Sequence, residues 1–558
     1  MPPMNGARFI AETMHGYGVT HFFLMPVIIP ESMPHLEELG IQRVMGHSEK
    51  GVAYMADGYG RVSGRPGVCG AQSVGAANMA AALQDAYLGC SPVVALTGRL
   101  PQVQQQRNAY QEVDHNDPFN ATTKYNVMVN SADELPIFLR QAFREATSGT
   151  PGPAHLDLIG IAGGTLTADE VDLEVIVEDT FMEAPAFRPE PDVDSVRAAI
   201  AELAKAERPI IVAGGGVKVS GASAELMELA ETLQIPVATA LNAKETFPPD
   251  HPLAVGVPGS YSRECANRAV TEADLVFFIG SHTGGQVTNE WRIPGPGTRV
   301  VQLDINPAEL GRSYPIAVGM QGDVKASLRK MLLNIDASPS ESRSTWVGHV
   351  QQLVANWHES VEEVANSDAV PLRPERLCTD LANVLPGNSI LVSDTGHSGI
   401  WTGTMIDFKS TEQSYIRCAG SLGWGIPAAI GAKAAASDRP VVCFTGDGGV
   451  WYHWTELETA LRNNINTVTV INNNASLNQE RGLNERIYGG PLPGSDHMWK
   501  LRETDFAAMA ESMGLLGLTV TKPGELDSAM DQALSAKTPA VIDVKTDIEG
   551  IAPAAWMP

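Results

Sequence analysis

The chain has little positive charge to offer. Its 558 residues carry 39 Lys and Arg against 65 Asp and Glu, a formal net charge of −26. Such a surface repels the phosphate backbone of a nucleic acid, which is therefore not an expected partner. Cysteine is scarce: Cys69, Cys90, Cys265, Cys378, Cys418 and Cys443 are scattered without C-x-x-C spacing. That argues against a zinc or dithiol motif and leaves thiols expected to be reduced and mostly buried. No stretch approaches the roughly 20 apolar residues that span a bilayer. The beginning, MPPMNGARFIAETM, lacks a basic region followed by an apolar run. The expectation is a cytoplasmic protein with no membrane partner. No short internal period points to a repeat array.

What is present is core-forming sequence. Hydrophobic residues make up 44% and charged residues 19%, enough to bury sizeable cores, and the length asks for several domains. The first segment alternates helical and strand patterns: GARFIAETMHGYG and EKGVAYMADGYGRVSG read as helices, THFFLM, PGVCGAQ and SPVVALTG as strands. The middle segment does the same with RPIIVAGGGV, ASAELMELAETL, IPVATA, ADLVFFIG and RVVQLDINP. Its glycine run Gly214-Gly215-Gly216 is not a G-x-G-x-x-G and does not by itself establish a nucleotide. The predicted fold class is α/β, three doubly wound parallel-sheet domains over 1–165, 190–345 and 370–558. Two linkers, EAPAFRPEPDVDSV and SPSESRSTW, separate them.

The most informative stretch is Thr445 to Ser476. A β-branched run ends at Thr445 and enters a turn containing Gly446, Gly448 and Gly449 around Asp447, where backbone N–H groups can approach a phosphate. A helix pattern, HWTELETALRNN, follows, and its positive end favours an anion. A second strand then delivers Asn473 and Asn474. Asp447 and Asn474 lie 27 residues apart, one strand-helix-strand unit, so hard oxygen ligands from both can meet at one octahedral Mg2+ that also holds diphosphate oxygens. Each fragment alone is ordinary turn chemistry.

Together they resemble the GDG...NN signature of thiamine diphosphate enzymes, and HSEKGVAYMADGYGRVSGRPGV resembles the acetolactate synthase, benzaldehyde lyase and pyruvate decarboxylase group. The resemblance implies thiamine diphosphate and Mg2+ as cofactors. Asp447, Asn474 and the carbonyl of Ser476 would be the metal ligands. Glu49, by itself a first-turn helix charge, matches the catalytic glutamate that shares a proton with the cofactor's aminopyrimidine and so promotes the C2 ylid. Gly75 and Asn78 fall in Ser73–Asn78, which matches the family's G-P-G-A-T-N turn. Gln111 falls at an active-site glutamine, and His397 and Ser398 at diphosphate contacts. Gly420 and Leu422 fall where relatives hold the aminopyrimidine and support the bent cofactor. His115 has no counterpart and reads as a solvated loop histidine. In this family the middle domain holds FAD, ADP or nothing, and the chain leaves FAD open.

The resemblance covers nearly the whole chain and implies carbon-carbon bond making or breaking on 2-oxo acids or aldehydes, by a ligase, lyase or decarboxylase route through an enamine. It also implies a homodimer or homotetramer with active sites at subunit interfaces. The chain departs from its relatives at Pro26-Val27-Ile28-Ile29, where acetolactate synthases have P-G-G-A. Ile28 and Ile29 are expected to wall the substrate pocket with stiff apolar bulk. Glu480, six residues past Asn474, lies where pyruvate decarboxylases have a catalytic glutamate, and otherwise reads as a solvated charge. Alternatives are a 2-hydroxyacyl-CoA lyase, for which no Arg and Lys cluster appears near the apolar terminus IEGIAPAAWMP, and a cofactor-binding protein without catalysis.

Overall fold

The computed structural model describes residues 4–171, 174–336 and 342–558. Three six-stranded parallel sheets dominate it. The first holds β1 (His21–Leu24), β2 (Gln42–Met45), β3 (Gly67–Gln72), β4 (Val93–Arg99), β5 (Tyr125–Val129) and β6 (Pro153–Ile159), in the order β2-β1-β3-β4-β6-β5. Every residue of β4 and β6 is buried, the pattern of central strands covered by helices on both faces. The second holds β7 (Pro209–Ala213), β8 (Val237–Thr239), β9 (Ala254–Gly256), β10 (Leu275–Ile279), β11 (Arg299–Asp304) and β12 (Val318–Gln321). Its order, β9-β8-β7-β10-β11-β12, reverses direction beside β7 in the manner of dinucleotide folds. The third holds β13 (Ile390–Ser393), β14 (Ser414–Arg417), β15 (Val441–Gly446), β16 (Val468–Asn473), β17 (Leu516–Val520) and β18 (Ala540–Lys545). Its order, β14-β13-β15-β16-β18-β17, repeats that of the first sheet strand for strand.

The outer two units share one core. The helix Glu49–Ser63 starts on Ser48, whose side chain accepts from Gly51 N, and stops at Gly64 with φ +71°. It lies on the helix Gly425–Ala435 at backbone contact. A Cβ on Gly58 would stand 2.2 Å from the Ala428 carbonyl oxygen, and one on Gly431 would stand 1.8 Å from that of Met55. Only glycine allows this approach. Val52, Met55, Trp424, Ile430 and Leu457 then fall into a single apolar cluster.

Several local expectations change. Ser73–Asn78 is not a turn but the first turns of a helix, Ser73–Leu88. Gly446 ends β15, while Gly448 and Gly449 lie inside a helix that begins at Asp447 itself, Asp447–His453, and the expected single helix is broken before Glu456–Arg462. Glycine is needed there for space: a Cβ on Gly449 would meet Thr445 Oγ1 at 2.8 Å and Asp394 Oδ2 at 3.0 Å. Of the second linker, residues before 342 lie outside the described residues. From Ser342 it is helix through Ala365, with the Trp346 indole donating to the Pro209 carbonyl at 2.8 Å.

Candidate active site

At the C-terminal edge of the third sheet, β15 hands Asp447 directly to a helix N-terminus. Asp447 is 2% exposed. Its Oδ1 accepts from Gly448 N at 2.8 Å and its Oδ2 from Ser476 N at 3.1 Å. Burial pushes its carboxyl up to about 7, although the backbone N–H groups of Ser476, Gly448, Ala475 and Asn474 favour ionisation. Asn474 Oδ1 accepts from Ser476 Oγ at 2.8 Å, whereas Asn473 turns away, its amide donating to Asp543 Oδ1 at 2.8 Å and to the Thr504 carbonyl at 3.0 Å. The loop after β16 is pinned by Leu477 N to Trp499 O and Leu501 N to Ala475 O, both 2.7 Å. Among the described residues no three His, Cys, Asp or Glu side chains cluster as a metal site. A cation here would rest on one carboxylate, one amide oxygen and one backbone carbonyl, with oxygens of a bound ligand completing the shell.

Beside it, β13 ends in Asp394-Thr395-Gly396-His397. Asp394 is fully buried, and its oxygens accept from Thr395 N, Gly423 N, Gly425 N and Thr445 Oγ1. Burial still pushes its carboxyl up to about 6. His397 opens the helix His397–Met405. Its Nδ1 is buried without a partner, as is Oε1 of Gln479, and burial pushes the His397 ring down to about 4. Ser398 is buried, with its Oγ toward Gly446. A neutral imidazole and an amide oxygen left unpaired beside Gly396 suit a polar ligand that supplies the missing bonds. Gly420 has open space where a Cβ would stand, and Leu422 is 38% exposed. Their loop is clamped by Asp85, which accepts from Ala419 N at 2.6 Å and from Ser421 N at 3.1 Å.

The second group of residues lies at the edge of the first sheet. Glu49 is the first residue of its helix and half-buried. Its Oε2 accepts from Asn78 Nδ2 at 3.2 Å, and a Cβ on Gly75 would stand 2.5 Å from its Oε1. Glu49, Gly75 and Asn78 are thus brought together. The helix start is held from the third unit by Glu456, whose Oε1 accepts from His47 N and Ser48 N at 3.1 Å. Gln111 sits at φ +61° in a loop where Gln106 and Asn108 are also left-handed. Its neighbour Glu112 accepts from Ala109 N at 3.1 Å.

Three expectations need correction or narrowing. His115 is not solvated; it is 2% exposed and bonded on both ring nitrogens. Ile28 and Ile29 are fully covered within the first sheet's apolar cluster, so the turn offers Val27 to the outside, 51% exposed. Val27 and Ile29 have φ of +65° and +41°, conformations costly for β-branched residues. The reversed handedness turns Val27 outward and both isoleucines inward. Glu480 is exposed in the first turn of the helix Asn478–Tyr488, its N–H donating to the Leu477 carbonyl at 2.9 Å. Asp85, Asp394, Glu456 and Gln479 are contributors that the motifs did not single out. Only Asp394 carried a local signal, as the residue before Thr395-Gly396. The C-terminal segment lies on the second unit, with the Trp556 carbonyl accepting from Asn267 and Asn289 at 3.0 and 3.3 Å.

Comparison with known proteins finds three domains along the chain. Residues 4–117 match the thiamine pyrophosphate enzyme N-terminal TPP binding domain, 196–331 the central domain, and 394–544 the C-terminal TPP binding domain. The chain is 33% identical to a probable acetolactate synthase large subunit of Methanocaldococcus jannaschii, over 98% of this chain and 92% of the relative. It is 29% identical to the acetolactate synthase large subunit of Corynebacterium glutamicum, over 97% and 86%. It is also 29% identical to the isozyme 1 large subunit of Escherichia coli, over 98% and 94%. The described residues contain no helix long and apolar enough to cross a membrane. The chain therefore belongs to the thiamine pyrophosphate-dependent enzymes and, within them, is acetolactate synthase-like.

Proposed function

We propose that the protein is a Mg2+-assisted thiamine diphosphate enzyme that forms or breaks carbon-carbon bonds beside the carbonyl of a 2-oxo acid or aldehyde. The observation that carries this is Asp447: a buried carboxylate with backbone amides for partners, at a helix N-terminus, beside Asn474 Oδ1. Such a group suits a divalent cation, which supplies the missing charge. Asp447, Asn474 and the Ser476 carbonyl would hold the metal, while Gly446, Gly448, Gly449, His397 and Ser398 would receive the diphosphate. When bound, thiamine diphosphate supplies a nucleophilic carbon and an electron sink. Glu49, oriented by Asn78 and Gly75, would hold a proton at the aminopyrimidine ring nitrogen. Gly420 and Leu422 would shape the seat of the cofactor, and Gln111 and Val27 would face the substrate.

The site is proposed to form between two copies of the chain in a cytoplasmic homodimer or homotetramer. The helices that carry its parts expose apolar side chains: Val74 beside Gly75, and Trp451 and Tyr452 on the Asp447 helix, are 51%, 47% and 56% exposed. Such surface on helices that carry catalytic parts fits a partner contact.

Between the three units lies a cavity of about 610 Å³ lined by Gly214–Gly216, Lys218, Ser220, His282, Asp304 and Arg188, among others, large enough for a nucleotide-sized ligand. FAD is the reading we test there: a flavin absorbance in the purified protein would support it, and a colourless protein that takes up no flavin would contradict it. For the reaction itself, thiamine diphosphate and Mg2+ are added to cofactor-stripped protein and the turnover of pyruvate and benzaldehyde is followed. Cofactor- and metal-dependent turnover is expected, and tight cofactor binding with no turnover of any 2-oxo acid or aldehyde would contradict the proposal.

A further inference from the structure

Behind the contacts of Glu49 lies a buried polar cluster that the reaction scheme does not use. His115 Nδ1 stands 2.9 Å from Asp157 Oδ1, and its Nε2 stands 3.0 Å from the carbonyl oxygen of Ser73. Both neighbours are oxygen acceptors, so the ring satisfies both only by donating from each nitrogen. Asp157 Oδ1 also accepts from Thr97 Oγ1 at 2.8 Å, and Arg99 Nε lies 3.6 Å from Oδ2. Burial alone would raise the Asp157 carboxyl, but the hydrogen bond and charge of His115, with help from His155 and Thr97, hold it below the usual carboxylate range. The remaining neighbour, His155, bridges Thr97 Oγ1 and Asn126 Oδ1 at 2.7 Å each, and burial pushes it down to about 3.

What the ring grips is the first residue of a helix in an unusual conformation. Ser73 is 3% exposed and has φ +45°, and a non-glycine residue keeps such a φ only where its surroundings enforce it. The junction has no side-chain cap of its own. Two residues later Gly75 lies against Glu49, and five residues later Asn78 donates to it. We propose that His115 is a positioning residue: clamped between Asp157 and the Ser73 carbonyl, it fixes the left-handed start of the Ser73–Leu88 helix and thereby sets Gly75 and Asn78 against the Glu49 carboxylate. This rests on the reading of Glu49 as the proton-sharing carboxylate.

The test is hydrogen-deuterium exchange at C2 of bound thiamine diphosphate in the holoenzyme, with cofactor affinity measured alongside. His115→Gln keeps one donor nitrogen, both of its N–H groups on the same atom, and cannot span the two acceptors on opposite sides of the ring. It should slow exchange by up to about 100-fold, the scale of a misplacement near 1 Å, while cofactor Kd stays within about threefold, since that affinity is carried at Asp447. In a Glu49→Gln background the same substitution should cost nothing further, because the two act as one unit. A crystal structure of cofactor-free His115→Gln should have Ser73 out of the left-handed region and the contact between Asn78 and Glu49 broken. His115→Asn is the second variant, with the same expectations, should the first fail to fold. Losses that add in the double variant, or an unchanged cofactor-free structure, would overturn the proposal. Exchange untouched by Glu49→Gln would sink the reading of Glu49, and this inference with it. Exchange abolished by Glu49→Gln but untouched by His115→Gln would sink this inference alone.

Discussion

The first and third sheets have the same strand order and treat buried charge in opposite ways. In the first, Asp157 is matched by His115 at 2.9 Å and is held below the usual carboxylate range against the pull of burial. In the third, Asp394 and Asp447 receive hydrogen bonds from backbone amides and, for Asp394, a hydroxyl, and burial pushes them up to about 6 and about 7. A matched buried pair serves geometry, whereas a buried carboxylate without a counter-charge is a place prepared for one. One topology thus presents a positioned carboxylate, Glu49, at one edge and a cation-ready carboxylate, Asp447, at the other.

The sharpest way to break this division of labour is to remove each carboxylate and ask which function fails. Glu49→Gln should slow C2 proton exchange by roughly 10²- to 10⁴-fold and leave cofactor Kd almost unchanged; an unchanged exchange rate would make Glu49 no more than a helix-terminal charge. Asp447→Ala should do the reverse in a titration calorimeter, weakening Mg2+-dependent cofactor binding by roughly 100-fold or more, and binding that survives would move the metal elsewhere.

Acidity sharpens the contrast further. The raised Asp394 and Asp447 favour the protonated folded state, so their stabilisation is fully present below about pH 4 and is lost as pH rises through about 6 and about 7. The thermal midpoint of metal-free protein in a chelator should therefore fall across that window by a few degrees, an effect on the order of 1–3 kcal/mol. Mg2+ with pyrophosphate should recover the part due to Asp447. Asp157 has the opposite sign, its contribution being lost only as pH falls through its depressed value. A midpoint that rises steadily from pH 4 to 7 without metal would contradict the assignment.

The smallest expected effect belongs to Glu480. Its carboxylate is exposed in the first turn of the Asn478–Tyr488 helix, and two roles are open to it: delivery of a proton late in the reaction, or a solvated charge alone. In the first case Glu480→Gln should shift products from simple aldehyde release toward ligation, as read by chromatography of the product mixture. The same rate and the same product ratio would make Glu480 a bystander.

How far the sequence reached is itself set by distance along the chain. Strands such as LVFFI and PIIVA were legible because buried parallel strands are continuous apolar runs, whereas the edge strands Tyr125–Val129, Val318–Gln321 and Leu516–Val520, with polar residues or glycine among their apolar ones, were not singled out. The meeting of Asp447 with the Asn474–Ser476 loop was legible because its parts lie within one strand-helix-strand unit. Strand order was not, since neighbours such as β6 and β4 are brought together by pairing across long intervening segments. Glu456 holds the His47 N–H just before the Glu49 helix from 409 residues away, and Asp85 clamps Ser421 across 336; no local pattern announces either. His115 looked like a solvated loop residue because its partner Asp157 is 42 residues on. The expectation that Ile28 and Ile29 wall the pocket missed the positive φ at Val27 and Ile29, which no residue type here announces and with which both isoleucines lie in the core and Val27 faces out.

The central claim is that the Glu49 edge of one copy works with the Asp447 edge of another. Subunits of Glu49→Gln and Asp447→Ala, each inactive alone, can be co-refolded in equal amounts and assayed for C2 proton exchange with thiamine diphosphate and Mg2+. If the sites form between two chains, half of the dimers are mixed and each of these carries one intact site, so the mixture should recover about a quarter of the parent activity. Activity no greater than the sum of the two inactive variants would mean that both carboxylates serve a site within a single chain, and would contradict the account.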